Sequence, residues 1–105
     1  MQSYLDGSPN LYLDITWRVI FDNYFQDPDM RAKYVTFLEK TAGRILPGTD
    51  FVASHKKSYG VYRDEVLANS DILKDLSNEA FRQIALGQSY FDISGMDYEA
   101  PQICK

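Results

Sequence analysis

His55 is the sole imidazole in this 105-residue chain, and an imidazole is the side chain best suited to move a proton near neutral pH. A general base needs an orienting partner, and Asp50 or Asp64 could supply one. The other reading places His55 on the apolar face of a helix between Val52 and Tyr59, satisfied by a carbonyl or a neighbouring side chain, and the spacing favours it. Asp14 and Asp22 stand about two helical turns apart, as half of a di-metal carboxylate site would. That architecture also needs Glu-x-x-His pairs on other helices, and the sequence contains none. A single Cys (Cys104) with a single His makes neither a zinc site of the Cys/His type nor a disulfide framework. The stretch Gly43-Arg44-Ile45-Leu46-Pro47-Gly48 lacks the Lys-Ser/Thr ending of a phosphate-binding loop. Nucleophile elbows and Cys-x-x-Cys pairs are absent as well. The expectation is a protein that is not an enzyme and carries no metal or cofactor.

What remains is chemistry of recognition. Basic residues gather around the second connection and the third helix, and Arg44, Lys56 and Lys57 with Tyr59 and Tyr62 nearby form a candidate patch for an acidic partner surface. Intervening Asp and Glu also allow a merely solvated face. Aromatic residues are 14% of the chain, including eight Tyr. Those on the helix stripes are accounted for as core. Tyr4, Tyr12, Tyr90, Phe91 and Tyr98 lie at or beyond the helix margins, where they could either seal the core or form an interface, a setting in which Tyr is enriched. Tyr90, Phe91 and Tyr98 join the basic group as candidate partner-binding residues.

The elements that must position these residues are read from periodicity and breakers. Gly7, Ser8 and Pro9 make the first ten residues an irregular lead-in. Leu13, Trp17, Ile20, Phe21 and Tyr24 fall on one helical face, predicting a helix over 11–25 capped by Asn10. Asp27-Pro28 joins an N-cap to a residue favoured in the first turn. The stripe Met30, Tyr34, Phe37, Leu38 then predicts a helix over 28–42, ended at Gly43. Asp50 is the next cap, with Val52, His55, Tyr59, Tyr62 and Val66 predicting a helix to Ala68 that crosses Gly60, broken at Asn69-Ser70. Ile72, Leu73 and Leu76 form a short apolar turn, and Ser77 caps a last helix ended by Gly87. Beyond it no period is sustained. The predicted fold is all-α, a small antiparallel bundle of about four helices over 1–88, with an irregular aromatic and acidic C-terminal arm over 89–105.

Composition narrows the setting. Apolar residues at 45%, charged residues at 25% and a net charge of −4 describe one ordinary globular domain with an acidic surface. That balance argues against a nucleic-acid backbone as partner. The lone Cys fits a reducing compartment. No long apolar run or leader-like amino terminus is visible, so the expectation is a cytoplasmic protein without membrane contact.

From Asn23 to Val66 the chain reads NYFQDPDMRAKYVTFLEKTAGRILPGTDFVASHKKSYGVYRDEV. It carries in order an aromatic helix end, Asp27-Pro28, Ala32, Tyr34, Phe37, Leu38, Lys40, Ala42-Gly43-Arg44, Asp50, Ser54-His55 and Arg63. This ordered set resembles the small CowN family, proteins that sustain nitrogen fixation in the presence of carbon monoxide. The resemblance implies a non-enzymatic accessory protein whose partner is the nitrogenase molybdenum–iron protein, and it transfers no catalytic residue. Size, acidity and aromatic content equally suit a second class, a phage or mobile-element inhibitor that blocks a host or defence complex. Self-association through the aromatic surplus is compatible with either.

Overall fold

Asp27 opens the most regular element of the molecule. Its side chain accepts a hydrogen bond from the Met30 N–H at 2.8 Å, and Pro28, which lacks the N–H that a first-turn residue leaves unpaired, begins the helix Pro28–Thr41. The structure is a computed structural model that describes residues 1–15, 18–48, 52 and 54–103. The expectations placed on Trp17, Asp50 and Cys104 lie outside the described residues.

In chain order the elements are α1 (Gln2–Gly7), β1 (Leu13–Asp14), α2 (Arg18–Ile20) running into a π-helical turn (Phe21–Phe25), α3 (Pro28–Thr41), a 3-10 turn (Ala42–Arg44) and β2 (Ile45–Leu46). After them come α4 (Tyr59–Ser70), a second 3-10 segment (Asp71–Asp75), α5 (Asn78–Ala85) and α6 (Gln88–Ser94). The molecule is therefore mostly helical, as the sequence predicts, with one addition. β1 and β2 pair in parallel, Leu13 against Ile45 and Asp14 against Leu46. Parallel strands need a crossover between them, and α2 and α3 form it.

Four expectations are corrected. The lead-in is helical as α1, with Leu5 buried. Of the helix predicted over 11–25, Arg18–Ile20 and the π-helical turn after it are helical, whereas Leu13 extends to pair with Ile45, a long-range partner that outweighs the local helical spacing. The third helix starts at Tyr59, capped by Ser58, whose hydroxyl accepts from the Val61 N–H. Gly60 thus sits in the first turn, where its flexibility costs less than mid-helix. That helix continues through Asn69 and Ser70 rather than breaking there. Finally, the stretch read as an irregular arm contains α6. Gly87 and Gly95 bracket it with φ of +80° and +67°, a conformation glycine adopts without a Cβ clash. The Met96 N–H donates to the Phe91 carbonyl and the Gly95 N–H to that of Asp92, satisfying the last carbonyls of the helix.

The core lies where α3, the two 3-10 segments, β2 and α5 meet. Leu38, Ile45, Ile72, Leu73, Leu76, Ala80 and Ile84 are buried there, Ile45, Ile72 and Ile84 completely. Ser77 caps α5, as the sequence predicts, accepting from the Ala80 N–H at 3.1 Å. Its own N–H and hydroxyl are held by the Glu39 carboxylate of α3. Arg31 of α3 donates through Nη1 to Asp71 at 2.8 Å and through Nε to Asp75 at 2.5 Å, fastening α3 to the second 3-10 segment. Asp71 is held below the usual carboxylate range, first by the hydrogen bond from Lys74 and then by that from Arg31, with partial burial opposing both. Among the described residues no helix is long and apolar enough to cross a membrane.

Candidate functional site

The expected partner-binding residues separate into three groups. Arg44 leaves the set. Its guanidinium donates through Nε to the Leu11 carbonyl at 2.9 Å, through Nη1 to that of Leu5 at 2.8 Å, and through Nη2 to those of Ser8 and Leu11. Its carbon also lies 6.0 Å from the centre of the Tyr12 ring. A planar fork of five donors suits three converging carbonyls, so Arg44 is a fastener for the amino-terminal segment. Sequence spacing gave no sign of this, because the carbonyls it serves belong to residues more than thirty positions earlier.

The second group stands at the start of α4. Lys56 and Lys57 lie in the connection before Ser58 and are exposed. Tyr59 is 78% exposed and stands 6.2 Å from Tyr62, ring to ring. Lys57 pairs with Glu65 at 3.4 Å, and Arg63 pairs with Asp64 at 2.9 Å, so acids offset much of the positive charge. Tyr62 also lines an apolar groove of about 250 Å³ with Ile15, Pro47, Val66, Leu73 and Ala85. His55 is exposed in the turn before α4 instead of on its apolar face, because the helix begins at Tyr59, four residues after it.

The third group, Tyr90, Phe91 and Tyr98, is assembled by α6 and the residues after it. Phe91 packs its ring 4.1 Å from that of Tyr98 and 5.4 Å from that of Tyr90, edge-on to the latter. Residues 96–103 have no regular secondary structure, yet they are fixed by two side chains. Gln88, itself buried, accepts from the Ala100 N–H at 2.8 Å and donates to the Tyr98 carbonyl at 3.1 Å and to Asp92 at 2.6 Å. Arg82 donates to the Ala100 carbonyl at 2.8 Å, and Ala100 is buried. The Tyr98 hydroxyl donates to the Leu86 carbonyl at 3.2 Å. Ser89, fully buried, donates to the Ala42 carbonyl at 2.8 Å. Buried contacts thus cross the sequence division at residue 88, and the C-terminal stretch packs on the body.

The outer side of this docked stretch is apolar and acidic. Tyr90, Ile93 and Met96 are exposed, at 53%, 38% and 57%. Asp92, Asp97 and Glu99 are exposed as well. Sequence reasoning named Tyr90, Phe91 and Tyr98 but missed Ile93 and Met96, as well as the fasteners Arg82 and Gln88. Gly87 and Gly95, seven residues of helix apart, were the signal that could have revealed α6. No group of three or more His, Cys, Asp or Glu placed to hold a metal ion occurs among the described residues. No family model, curated protein or solved structure matches this chain.

Proposed function

We propose that this chain is a non-catalytic, cytoplasmic accessory protein that works by docking on a larger protein complex, its helices packed as a small antiparallel bundle. One observation carries the reading. The chain commits buried side chains, Gln88 and Ser89 with the mostly buried Arg82, to holding α6 and the following residues in place, while Tyr90, Ile93 and Met96 remain outside the core. Ordering a segment costs conformational entropy, and a surface ordered in advance loses less of it on binding. The resemblance to the CowN family over residues 23–66 supplies the particular partner, the nitrogenase molybdenum–iron protein, and the effect, sustained nitrogen fixation in the presence of carbon monoxide. Lys56, Lys57, Tyr59 and Tyr62 form a second contact region in this reading, and Arg44 contributes only by holding the amino terminus.

Protection by such a protein takes one of two forms. It either blocks a path to the metal cluster or binds one conformation of the enzyme more tightly than another, since equal affinity shifts no equilibrium. The test is direct binding of the purified chain to purified molybdenum–iron protein by interferometry, followed by acetylene reduction under carbon monoxide with and without the chain. Binding that falls at least tenfold in Tyr90→Ser/Ile93→Ser, with helical circular dichroism unchanged, is the expected result. Absence of binding to the purified enzyme removes nitrogenase as the partner.

A further inference from the structure

Part of the apolar stripe of α3 is left over from the core. Met30, Lys33, Tyr34 and Phe37 are spaced to share one side of the helix, yet the buried residues of α3 are Leu38 and Thr41. Met30, Tyr34 and Phe37 are half-buried, and Lys33 is exposed. With Met1 these four line a groove of about 230 Å³. Next to it lies a smaller cavity of about 90 Å³, lined by Leu13, Ile20, Phe25 and Leu38 among others. Met1, Tyr34 and Phe37 line both volumes, so those side chains stand between the two. Tyr34 is backed by other rings, Phe25 edge-on at 5.2 Å and Tyr24 at 5.8 Å. Met1 is 67% exposed, and a thioether chain rearranges readily. Charge distinguishes the two volumes. Lys33 is the charged residue lining the groove, and its ammonium makes no ion pair or hydrogen bond among the described residues. Asp14 lines the inner cavity. The groove beside Tyr62 has no charged residue in its described lining, so nothing there selects a charged ligand.

We infer that the α3 groove binds a medium-chain carboxylate, its head on the Lys33 ammonium and its alkyl chain along Met30, Tyr34 and Phe37 toward the inner cavity. The site goes beyond the docking reading and does not depend on it. An apolar lining with one placed polar group is the usual make-up of a small-molecule site, and here the polar group is a cation with no partner of its own. The opposite orientation would bring the head toward Asp14 and like charge. Volume sets the chain length. A dry cavity of about 150 Å³ takes benzene, and the groove corresponds by proportion to roughly eight to ten carbons. A flexible alkyl chain also suits methionine walls, which repack around irregular apolar shapes.

The chain has three methionines, two in the groove and one, Met96, outside its lining. The experiment titrates the full chain, carbon-13 labelled at its methionine methyls, with octanoate below its micelle concentration. The Met1 and Met30 signals are expected to move and saturate together while that of Met96 stays. Octanol and octylammonium are the neutral and cationic companions, and both are expected to bind more weakly than octanoate. Lys33→Gln is expected to weaken octanoate about threefold to fivefold, the size of an exposed ion pair, and to leave octanol within about twofold. Lys40→Gln, the same charge change on the same helix, should leave octanoate within about twofold. Met30→Glu places a carboxylate in the groove at a first-turn position that favours an acid, and is expected to abolish the Met1 shift with helical circular dichroism unchanged. The inference is overturned by a Met96 shift as large as the other two, which marks unspecific association, or by octanol or octylammonium binding as tightly as octanoate. It is also overturned if no signal saturates. Met1 and Met30 signals that move with protein concentration alone would assign the groove to a second copy of this chain and overturn the ligand.

Discussion

The two ends of this chain are attached to the same body in different ways. At the amino end one guanidinium, Arg44, holds the carbonyls of Leu5, Ser8 and Leu11, and Leu5 is buried with them. At the carboxyl end the work is divided among Gln88, Arg82, Ser89 and the Tyr98 hydroxyl, and the helix α6 carries part of the segment into the core. Neither end relies on a long backbone ladder. A single fork concentrates the side-chain hydrogen bonding of residues 5–11 in one residue, Arg44. A divided attachment lets the carboxyl end lose a contact and stay in place, which suits the docking role proposed for it.

Arg44→Ala should therefore be the most damaging change among these fasteners. It removes the fork's bonds to the carbonyls of Leu5, Ser8 and Leu11, of which Leu5 and Ser8 keep a backbone N–H donor, and it frees α1; the expected loss is about 2–3 kcal/mol by chemical denaturation. Amides of residues 1–12 should exchange far faster while those of α6 keep their protection. Arg44→Lys keeps the charge but not the fork and should recover less than half of the loss; full recovery by lysine would mean that charge, not geometry, makes the attachment. Gln88→Ala should cost less, about 1–2 kcal/mol, because Arg82 and Tyr98 still hold the segment. Its signature is faster exchange at the Ala100 amide with the α6 amides little changed. If Gln88→Ala matched Arg44→Ala in cost, the contrast between single and divided attachment would be gone.

The smallest expected effect comes from the pair that joins α3 to the second 3-10 segment and belongs to neither end. The Asp71 carboxyl is held below its ordinary value, so its contribution is present above the unfolded value near pH 4 and is lost as pH falls through the lower folded value. The side chain is about a third exposed, and screening limits the effect to roughly 1 kcal/mol or less. Urea midpoints measured between pH 2 and 6 should show a shallower acid decline in Asp71→Asn than in the parent. Parallel declines would assign the acid sensitivity to other carboxylates.

Which parts of this molecule could be read from sequence follows from how local their causes are. The Asp27 cap with Pro28 and the Ser77 cap both act within three residues, and both elements begin where they were expected. Leu13 carries an equally good helical spacing with Ile20, Phe21 and Tyr24, but its partner is Ile45, and nothing in the spacing of one segment records the demands of another. α6 is seven residues long, too short to establish a period, so only its two glycines marked it. Of the candidate surface, the aromatic identities were legible, because Tyr beyond the helix margins has weak core demand. The orientation of Arg44 and Arg82 toward carbonyls was not, since a basic residue reads the same whether it faces a partner or its own chain.

The pairing of Leu13 with Ile45 has a consequence for how the chain is made. Synthesis runs from the amino end, so α1 and β1 leave the ribosome about thirty residues before the strand and the arginine that receive them. At a synthesis rate of roughly 5–20 residues per second, the first segment waits on the order of seconds with Leu5 and Leu13 uncovered. α3, which carries its own cap, is complete in the interval. Residues 1–14 are therefore made well before the residues that receive them, and can be seated once Leu46 has emerged.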